Sequence, residues 1–254
     1  GDYADALRLY LGSIAVHRES GQRDKLGLAL SNAGQCYAAL GLDERALVLL
    51  RKAVDVFGAL GARGSGSSEA HAALAEMHAA RGEGALALAE LERAREDADA
   101  AGSQIDRVRV KLAAAWVALA RGAATAARAA AEDSERGATE AGIVMYAMQA
   151  RAYAAEAAAT TGDRAAARRH LDGVLEHPQF ADPTRVERGD LLLGACERAL
   201  RILGDEPRAN RVAALSSQRA ALVRAQRESL GAQPASAALS PPTHTPPAYE
   251  GASA

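Results

Sequence analysis

Two histidines and a glutamate form the segment of this chain with the clearest potential for chemistry. His71, Glu76 and His78 lie close together in sequence, and imidazole and carboxylate groups are common ligands of zinc. A helical zinc motif needs its two histidines about one turn apart, so that both can reach the same ion. These two are seven residues apart, and no third ligand lies nearby. We therefore expect no metal site in this segment.

Other residues of chemical interest lack the partners that catalysis needs. A cysteine nucleophile requires a base, and no known motif places a histidine beside Cys36 or Cys196. We expect both cysteines to be small buried apolar residues. The stretch GSGSS, residues 64–68, lacks the lysine of a phosphate-binding loop and is predicted to be a flexible turn. We expect no catalytic residue, no cofactor and no enzyme activity in this chain; a helical lyase or hydrolase is the alternative.

The charge pattern argues against two classes of partner. The chain has 30 basic and 32 acidic residues, interspersed along its length, without the basic stripe that nucleic-acid binding requires. No apolar run is long enough to span a membrane, and no signal peptide opens the chain. We therefore expect a cytoplasmic protein that binds neither nucleic acid nor membrane through this region.

The elements that position these residues are predicted to be helices. Hydrophobic residues make up 49% of the chain, most of them alanine, and aromatic residues only 4%. Alanine, leucine, arginine and glutamate favour helix, whereas sheets favour β-branched and aromatic residues. Apolar residues recur at three- and four-residue steps, as at Leu26, Leu30 and Ala33, which is the helical period.

Glycines divide these helices at a fixed period. One series has spacings of 40, 41, 40, 40 and 42 residues, and a second lies halfway between its members: Gly1, Gly41, Gly82, Gly122, Gly162 and Gly204, then Gly21, Gly61, Gly102 and Gly142. Such a period marks an array of repeated helix pairs, and glycine suits the left-handed residue after a helix. The predicted helices are 2–20, 24–40, 43–60, 67–81, 84–100, 104–121, 123–140, 143–161, 163–176, 184–203 and 206–229. Ser67, Asp182 and Asp205 are predicted to begin three of them, the last two followed by prolines in the first turn.

The repeat resembles the tetratricopeptide repeat (TPR). Its clearest copy, LSNAGQCYAALGLDERALVLLRKAV from Leu30 to Val54, has the family's small and large residues at Gly34, Tyr37, Gly41, Ala46, Leu50 and Ala53. The copies around Gly82 and Gly162 are similar, and those around Gly122 and Gly204 are degenerate. The common repeat has about 34 residues; the longer period here is similar to that of kinesin light chains and bacterial signalling regulators.

The resemblance implies an all-α fold, a right-handed α-solenoid of antiparallel helix pairs with about five repeats. We expect this array over residues 1–229, with a truncated first repeat and a break near 177–183. Residues 230–254, rich in Pro, Ala, Ser and Thr, are expected to be a disordered tail. Because Gly1 falls in the middle of a repeat, we expect the natural protein to continue upstream.

In this family the first helix of each pair lines the concave face. Carried over by register, the resemblance implies a partner-binding groove formed by Ser31, Gln35, Glu69, Glu76, Arg109, Trp116, Gln149, Glu156, Arg198 and Arg201. The Lys/Asn set with which such repeats clamp a chaperone carboxylate is missing. Two interpretations of Trp116 stay open, an exposed binding hot spot and the edge of a core stripe. His78 is expected at the family's aromatic position.

These features predict a non-enzymatic scaffold for protein–protein interaction. By resemblance it would be the C-terminal TPR region of a larger bacterial signalling or regulatory protein, next to a kinase, ATPase or transcription-activator domain. The partner would be a protein, a peptide or the chain's own upstream domain. Self-association into a homodimer and an autoinhibitory role are the alternatives.

Overall fold

The computed structural model describes residues 2–182 and 188–230, and helices account for most of them. Within those residues eleven α-helices and one 3-10 helix follow one another without a strand. Their bounds are α1 Tyr3–Glu19, α2 Arg23–Ala39, α3 Asp43–Ala59, α4 Ser65–Ala80, α5 Gly84–Ala101, α6 Gln104–Ala120, α7 Ala124–Glu140, α8 Val144–Thr160, α9 Arg164–Leu175, the 3-10 helix Pro178–Ala181, α10 Gly189–Leu203 and α11 Glu206–Leu230. The predicted all-α solenoid is confirmed.

The periodic glycines end helices, as predicted. All nine glycines of the two series after Gly1 have positive φ angles, between +60° and +85°. A side chain in this left-handed region costs about 1–2 kcal/mol, which explains why glycine recurs there. At the start of α11, Asp205 Oδ1 accepts a hydrogen bond from the backbone N–H of Arg208 at 3.3 Å, so the predicted cap is present.

The predicted flexible turn at residues 64–68 is wrong from Ser65 onward, because α4 begins at Ser65 rather than at residue 67. The Ser67 hydroxyl donates to the Asp97 carboxylate, and the Ser68 hydroxyl donates to the Ala94 carbonyl at 2.9 Å. These bonds attach the first turn of α4 to α5. Ser67 therefore lies inside the helix and does not cap it.

Two other predictions lie outside the described residues. The proline cap proposed after Asp182 falls on residues 183–187, and the predicted tail falls on residues 231–254.

Small residues let neighbouring helices approach closely, as the sequence suggests. Ala46 and Ala53 of α3 are fully buried. A Cβ atom at Gly34 of α2 would lie 2.8 Å from the Leu50 side chain of α3. Leu50 and Tyr37 fill the space beside these crossings and are 0% and 4% exposed. The core is thus a chain of tight helix contacts between successive elements.

The last helix extends back to the first. α11 has 25 residues, which corresponds to about 37 Å of helix, and it contacts both α10 and α1. Its partly buried Val223 and Leu230 pack against the hydrophobic cluster of the first helix pairs. The array therefore curves far enough to bring its two ends together.

No helix in the described part of the chain has both the length and the apolar character needed to cross a membrane.

Candidate functional site

The residues predicted to form a groove lie on five alternate helices, α2, α4, α6, α8 and α10. Two lie on each of these helices: Ser31 and Gln35, Glu69 and Glu76, Arg109 and Trp116, Gln149 and Glu156, Arg198 and Arg201. Most of these side chains form hydrogen bonds or ion pairs in the structure, some with one another and some with residues outside the predicted groove.

The first group links four helices. Gln35 Nε2 donates to Glu69 Oε1 at 3.1 Å, and Arg109 Nη1 pairs with Glu69 Oε2 at 3.1 Å. Arg109 Nε also donates to the Tyr146 hydroxyl at 3.1 Å. Ser31, which is 1% exposed, accepts a longer bond from Gln35 at 3.4 Å. These contacts tie α2, α4, α6 and α8 into one polar row.

The second group centres on Glu76. Its Oε2 lies 3.1 Å from Nη1 of Arg188, which precedes α10. Burial raises the pKa of Glu76, while Arg188 acts in the opposite direction. Arg188 has φ +49°, a strained value for a residue with a side chain. It is held there from several sides, because its backbone N–H also donates to the Tyr3 hydroxyl at 3.3 Å.

Trp116 lies at the edge of the core, which agrees with the second of its two open interpretations. Its ring is partly buried against two hydrophobic clusters, with its centroid 6.0 Å from that of Tyr153. Its Nε1 donates to the backbone carbonyl of Glu76 at 3.4 Å. The tryptophan therefore joins α6 to α4 and α8 at the edge of the core.

The third group lies between α8 and α10. Arg198 donates to both carboxylate oxygens of Glu156, from Nε at 2.6 Å and from Nη2 at 2.8 Å, the strong bidentate geometry of an arginine–carboxylate pair. Gln149 Nε2 donates to the hydroxyl of the fully buried Tyr153 at 2.7 Å. Burial raises the pKa of Tyr153, so this hydroxyl stays neutral.

The seam is the contact between α1, through Tyr3 and Arg8, and α11, through Arg219, Gln226 and Ser229. Arg219 Nη2 donates to the Tyr3 hydroxyl at 3.0 Å, and its guanidinium lies 5.8 Å from the Tyr3 ring centroid. The Tyr3 backbone N–H donates to Gln226 Oε1 at 3.0 Å, and Arg8 contacts Ser229. Polar contacts thus dominate where the first and last helices meet.

A cavity of about 680 Å³ lies beside this seam. We call it the seam cavity; it is lined by Ala38, Ala39, Leu40 and Gly41 of the α2 end, Asp190, Gly194 and Glu197 of α10, and Ser216, Arg219, Ala220, Val223, Arg224 and Arg227 of α11. A smaller cleft of about 60 Å³ shares Ala38 with it and is lined by five of the predicted groove residues: Gln35, Glu69, Glu76, Arg109 and Gln149. The larger space therefore opens next to the predicted groove rather than within it.

The surroundings of His71, His78, Cys36 and Cys196 indicate structural roles. Nδ1 of His71 lies 2.6 Å from Glu90 Oε2, and His78 pairs with Glu83; both histidines are buried. Cys36 and Cys196 are buried free thiols, and burial raises the pKa of Cys196 to about 12. Within residues 2–182 and 188–230, no three His, Cys, Asp or Glu side chains are placed to hold a metal ion.

Sequence reasoning missed the residues that close the array. Arg188 lies outside the repeat register, so the sequence pattern could not place it. Tyr3 and Arg219 are 216 residues apart, and no local pattern pairs them. The one available signal was the length of α11, which exceeds that of every repeat helix.

Comparisons with known proteins bear on the fold. No family model and no curated protein matches this chain. Among solved structures it is similar to a Rap protein complexed with competence and sporulation factor, with a TM-score of 0.63 and 12% identity. The match covers 80% of this chain and 66% of the Rap chain. The Rap protein has a TPR-like helical-repeat fold, and at this identity the likeness extends to that fold alone.

Proposed function

We propose that this chain is a protein-binding module that holds a peptide segment of its partner in the seam cavity. The observation that carries the proposal is the cavity itself, because its volume of about 680 Å³ falls in the range of ligand pockets, about 300–1,000 Å³. Its walls combine apolar surface from Ala38, Ala220 and Val223 with charged groups from α10 and α11. Such a mixture can bind side chains and orient a backbone.

The fold supports the same proposal. Helical-repeat arrays offer extended inner surfaces to other proteins, and the similar Rap protein was solved with a bound factor. The five groove residues of the small cleft adjoin the seam cavity through Ala38 and would contact the edge of a bound peptide. Membership of a larger bacterial signalling or regulatory protein remains part of the proposal, resting on the TPR resemblance.

Peptide display tests the proposal directly. Random peptides selected on the immobilised chain are synthesised, and their dissociation constants, expected at about micromolar, are measured by fluorescence anisotropy. Ala220→Trp places a large ring in the cavity and should abolish binding. Ala221→Trp is the matched control, because Ala221 is an exposed neighbour outside the cavity lining. Equal binding by both variants, or no enriched peptide, would contradict the proposal.

A homodimer is the second candidate, supported by α1. Leu9 and Val16 are 74% and 60% exposed, and their spacing of seven residues places both on one helix face. An apolar face of this kind can be covered by a second copy. Sedimentation at increasing concentration tests this, with Leu9→Glu expected to abolish any association.

A further inference from the structure

We infer that the segment bound in the seam cavity is acidic, with carboxylate side chains beside apolar ones. The inference rests on the proposed function and specifies its ligand. It follows from the charges of the two facing walls and from a buried hydroxyl.

The α11 wall of the cavity is positively charged. Three guanidinium groups line it, those of Arg219, Arg224 and Arg227. Arg224 and Arg227 make no ion pair or hydrogen bond with any residue in the described part of the chain. Arg227 Nη1 lies 3.9 Å from where a Cβ would project at Gly41, beside the negative end of the α2 dipole. Arg224 has no such compensation and is directly available to a carboxylate.

The α10 wall offers little negative charge in return. Asp190 and Glu197 line it, but each already has an arginine partner outside the cavity lining. Asp190 Oδ1 lies 3.6 Å from Arg188 Nε, and Glu197 Oε1 lies 2.9 Å from Arg201 Nη2. The positive side of the cavity therefore faces two carboxylates that already have arginine partners.

One polar group of the lining points to a missing hydrogen-bond partner. The Ser216 Oγ atom is buried and has no hydrogen-bond partner within the described residues. A buried hydroxyl without a partner is unfavourable, and a ligand carboxylate or carbonyl would satisfy it. Ser216 and Arg224 lie two turns apart on the cavity side of α11, so one extended segment can reach both.

The apolar part of the lining favours a peptide over a bare anion. Ala38, Ala220 and Val223 line the same space and would leave apolar surface in contact with water beside inorganic phosphate or a nucleic-acid backbone. An acidic segment with interspersed aliphatic side chains matches both kinds of surface.

Three labelled peptide pools of equal length and leucine content test the inference. They differ only in carrying glutamate, glutamine or lysine at the remaining positions, and anisotropy reports binding to the full chain. We expect the glutamate pool to bind about tenfold more tightly than the glutamine pool, because carboxylates pair with the Arg224 and Arg227 guanidinium groups and amides do not. The lysine pool should not bind measurably.

The matched variants are Arg224→Gln with Arg227→Gln, and Arg211→Gln alone as control. Arg211 is exposed on α11 outside the cavity lining. The double variant should remove the advantage of the glutamate pool and leave binding of the glutamine pool unchanged, while the control keeps the advantage.

Three results would overturn the inference. They are equal affinity of the three pools, an oligothymidylate that binds more tightly than the glutamate pool, and a glutamate preference that persists in the double variant. Display-selected neutral peptides excluded by Ala220→Trp would then still support the proposed function, so the two ideas fail separately.

Discussion

The interior of the repeat array and the seam are built differently. In the interior, from α2 to α9, alanines at helix crossings such as Ala53, Ala127 and Ala167 are fully buried. Along the 25 residues of α11, only Ala209, Val212 and Arg219 are buried. Beyond Val212, the helix reaches α1 through hydrogen bonds to Tyr3 and Arg8, and only the partly buried Val223 and Leu230 add apolar packing against the first hydrophobic cluster.

This difference means that the interior determines the stability of the fold, whereas the seam determines whether the two ends of the array stay in contact. Burial of apolar surface contributes about 25 cal/mol per Å², and it accumulates at every crossing of the interior. A hydrogen bond exchanged for water contributes only about 0.5–1.5 kcal/mol. The interior should therefore hold the fold, while the seam can open locally at low cost. A ligand in the seam cavity would then bind where the structure yields most easily.

The largest expected effect is in the interior. Leu50→Ala removes a side chain with no solvent exposure, and the free energy of unfolding should fall by about 2–5 kcal/mol. Urea unfolding followed by circular dichroism measures it. Leu86→Ala is the control, since Leu86 is 51% exposed and its loss should change stability by about 0.5 kcal/mol or less. Similar losses for the two variants would contradict the proposed role of the interior.

Enlarging a crossing residue should have the next largest effect. Ala53→Leu inserts methylene groups where Ala53 has no exposed surface, and overpacking should cost about 1–3 kcal/mol. Ala221→Leu on the exposed side of α11 should be nearly neutral, because both residues favour helix. The same urea experiment compares them, and a neutral Ala53→Leu would mean that the crossings are looser than the structure shows.

A smaller effect should appear at the seam. Tyr3→Phe removes the hydroxyl that accepts from Arg219 and Arg188. Amide exchange of residues 219–230, followed by mass spectrometry, should accelerate about fivefold, corresponding to about 1 kcal/mol. Exchange in α6 to α8 should stay unchanged.

The matched control for the seam is Tyr146→Phe. It removes an interior hydroxyl that accepts from Arg109 and should leave exchange in α11 as in the unmodified chain. If Tyr3→Phe instead accelerated exchange throughout the array, the seam would be part of the global folding unit, and the distinction between closure and stability would be lost.

The smallest effect depends on pH and concerns a turn of the interior. The backbone N–H of Ala166 lowers the pKa of Asp163 below its ordinary value of 3.8, with help from Arg128. This lowered pKa stabilises the folded chain at pH values above the ordinary pKa of the carboxyl group. The stabilisation is lost as the pH falls through the folded-state pKa. The unmodified chain should thus exceed Asp163→Asn in stability at neutral pH, and the difference should vanish in acid.

Urea unfolding of both chains from neutral pH into the acid range measures this difference. Asparagine is also a good cap, so the comparison isolates the charge. A difference that grows on acidification would contradict the assigned cause.

Much of the fold could be predicted because the signals are local. The helix bounds agree to within one residue except at the starts of α4 and α10. The exception at α4 is instructive. Gly66 and the serines after it look like a turn in isolation, yet Ser67 and Ser68 bind α5, and a Cβ at Gly66 would lie 2.7 Å from Phe57. The contacts with α3 and α5 at this point outweigh the weak local preference of these residues for a turn.

The candidate site was only partly predictable. Register placed Gln35, Glu69 and Arg109 on one face, and the structure brings their side chains together. The repeat register does not indicate whether such polar groups are available to a ligand or already paired with each other. Arg188, which pairs with Glu76, could not be assigned to any repeat.

The sequence by itself determined the helices, their glycine ends and the small residues at their crossings. Each of these depends on residues within one repeat or its neighbour, where periodicity is visible. Only the tertiary structure decided that α11 meets α1 and that a cavity lies between α11, α10 and the end of α2. That outcome is the sum of small rotations at each helix pair, and it joins Tyr3 to Arg219 across 216 residues. A small change in any rotation would move the ends apart, and no single segment encodes their total.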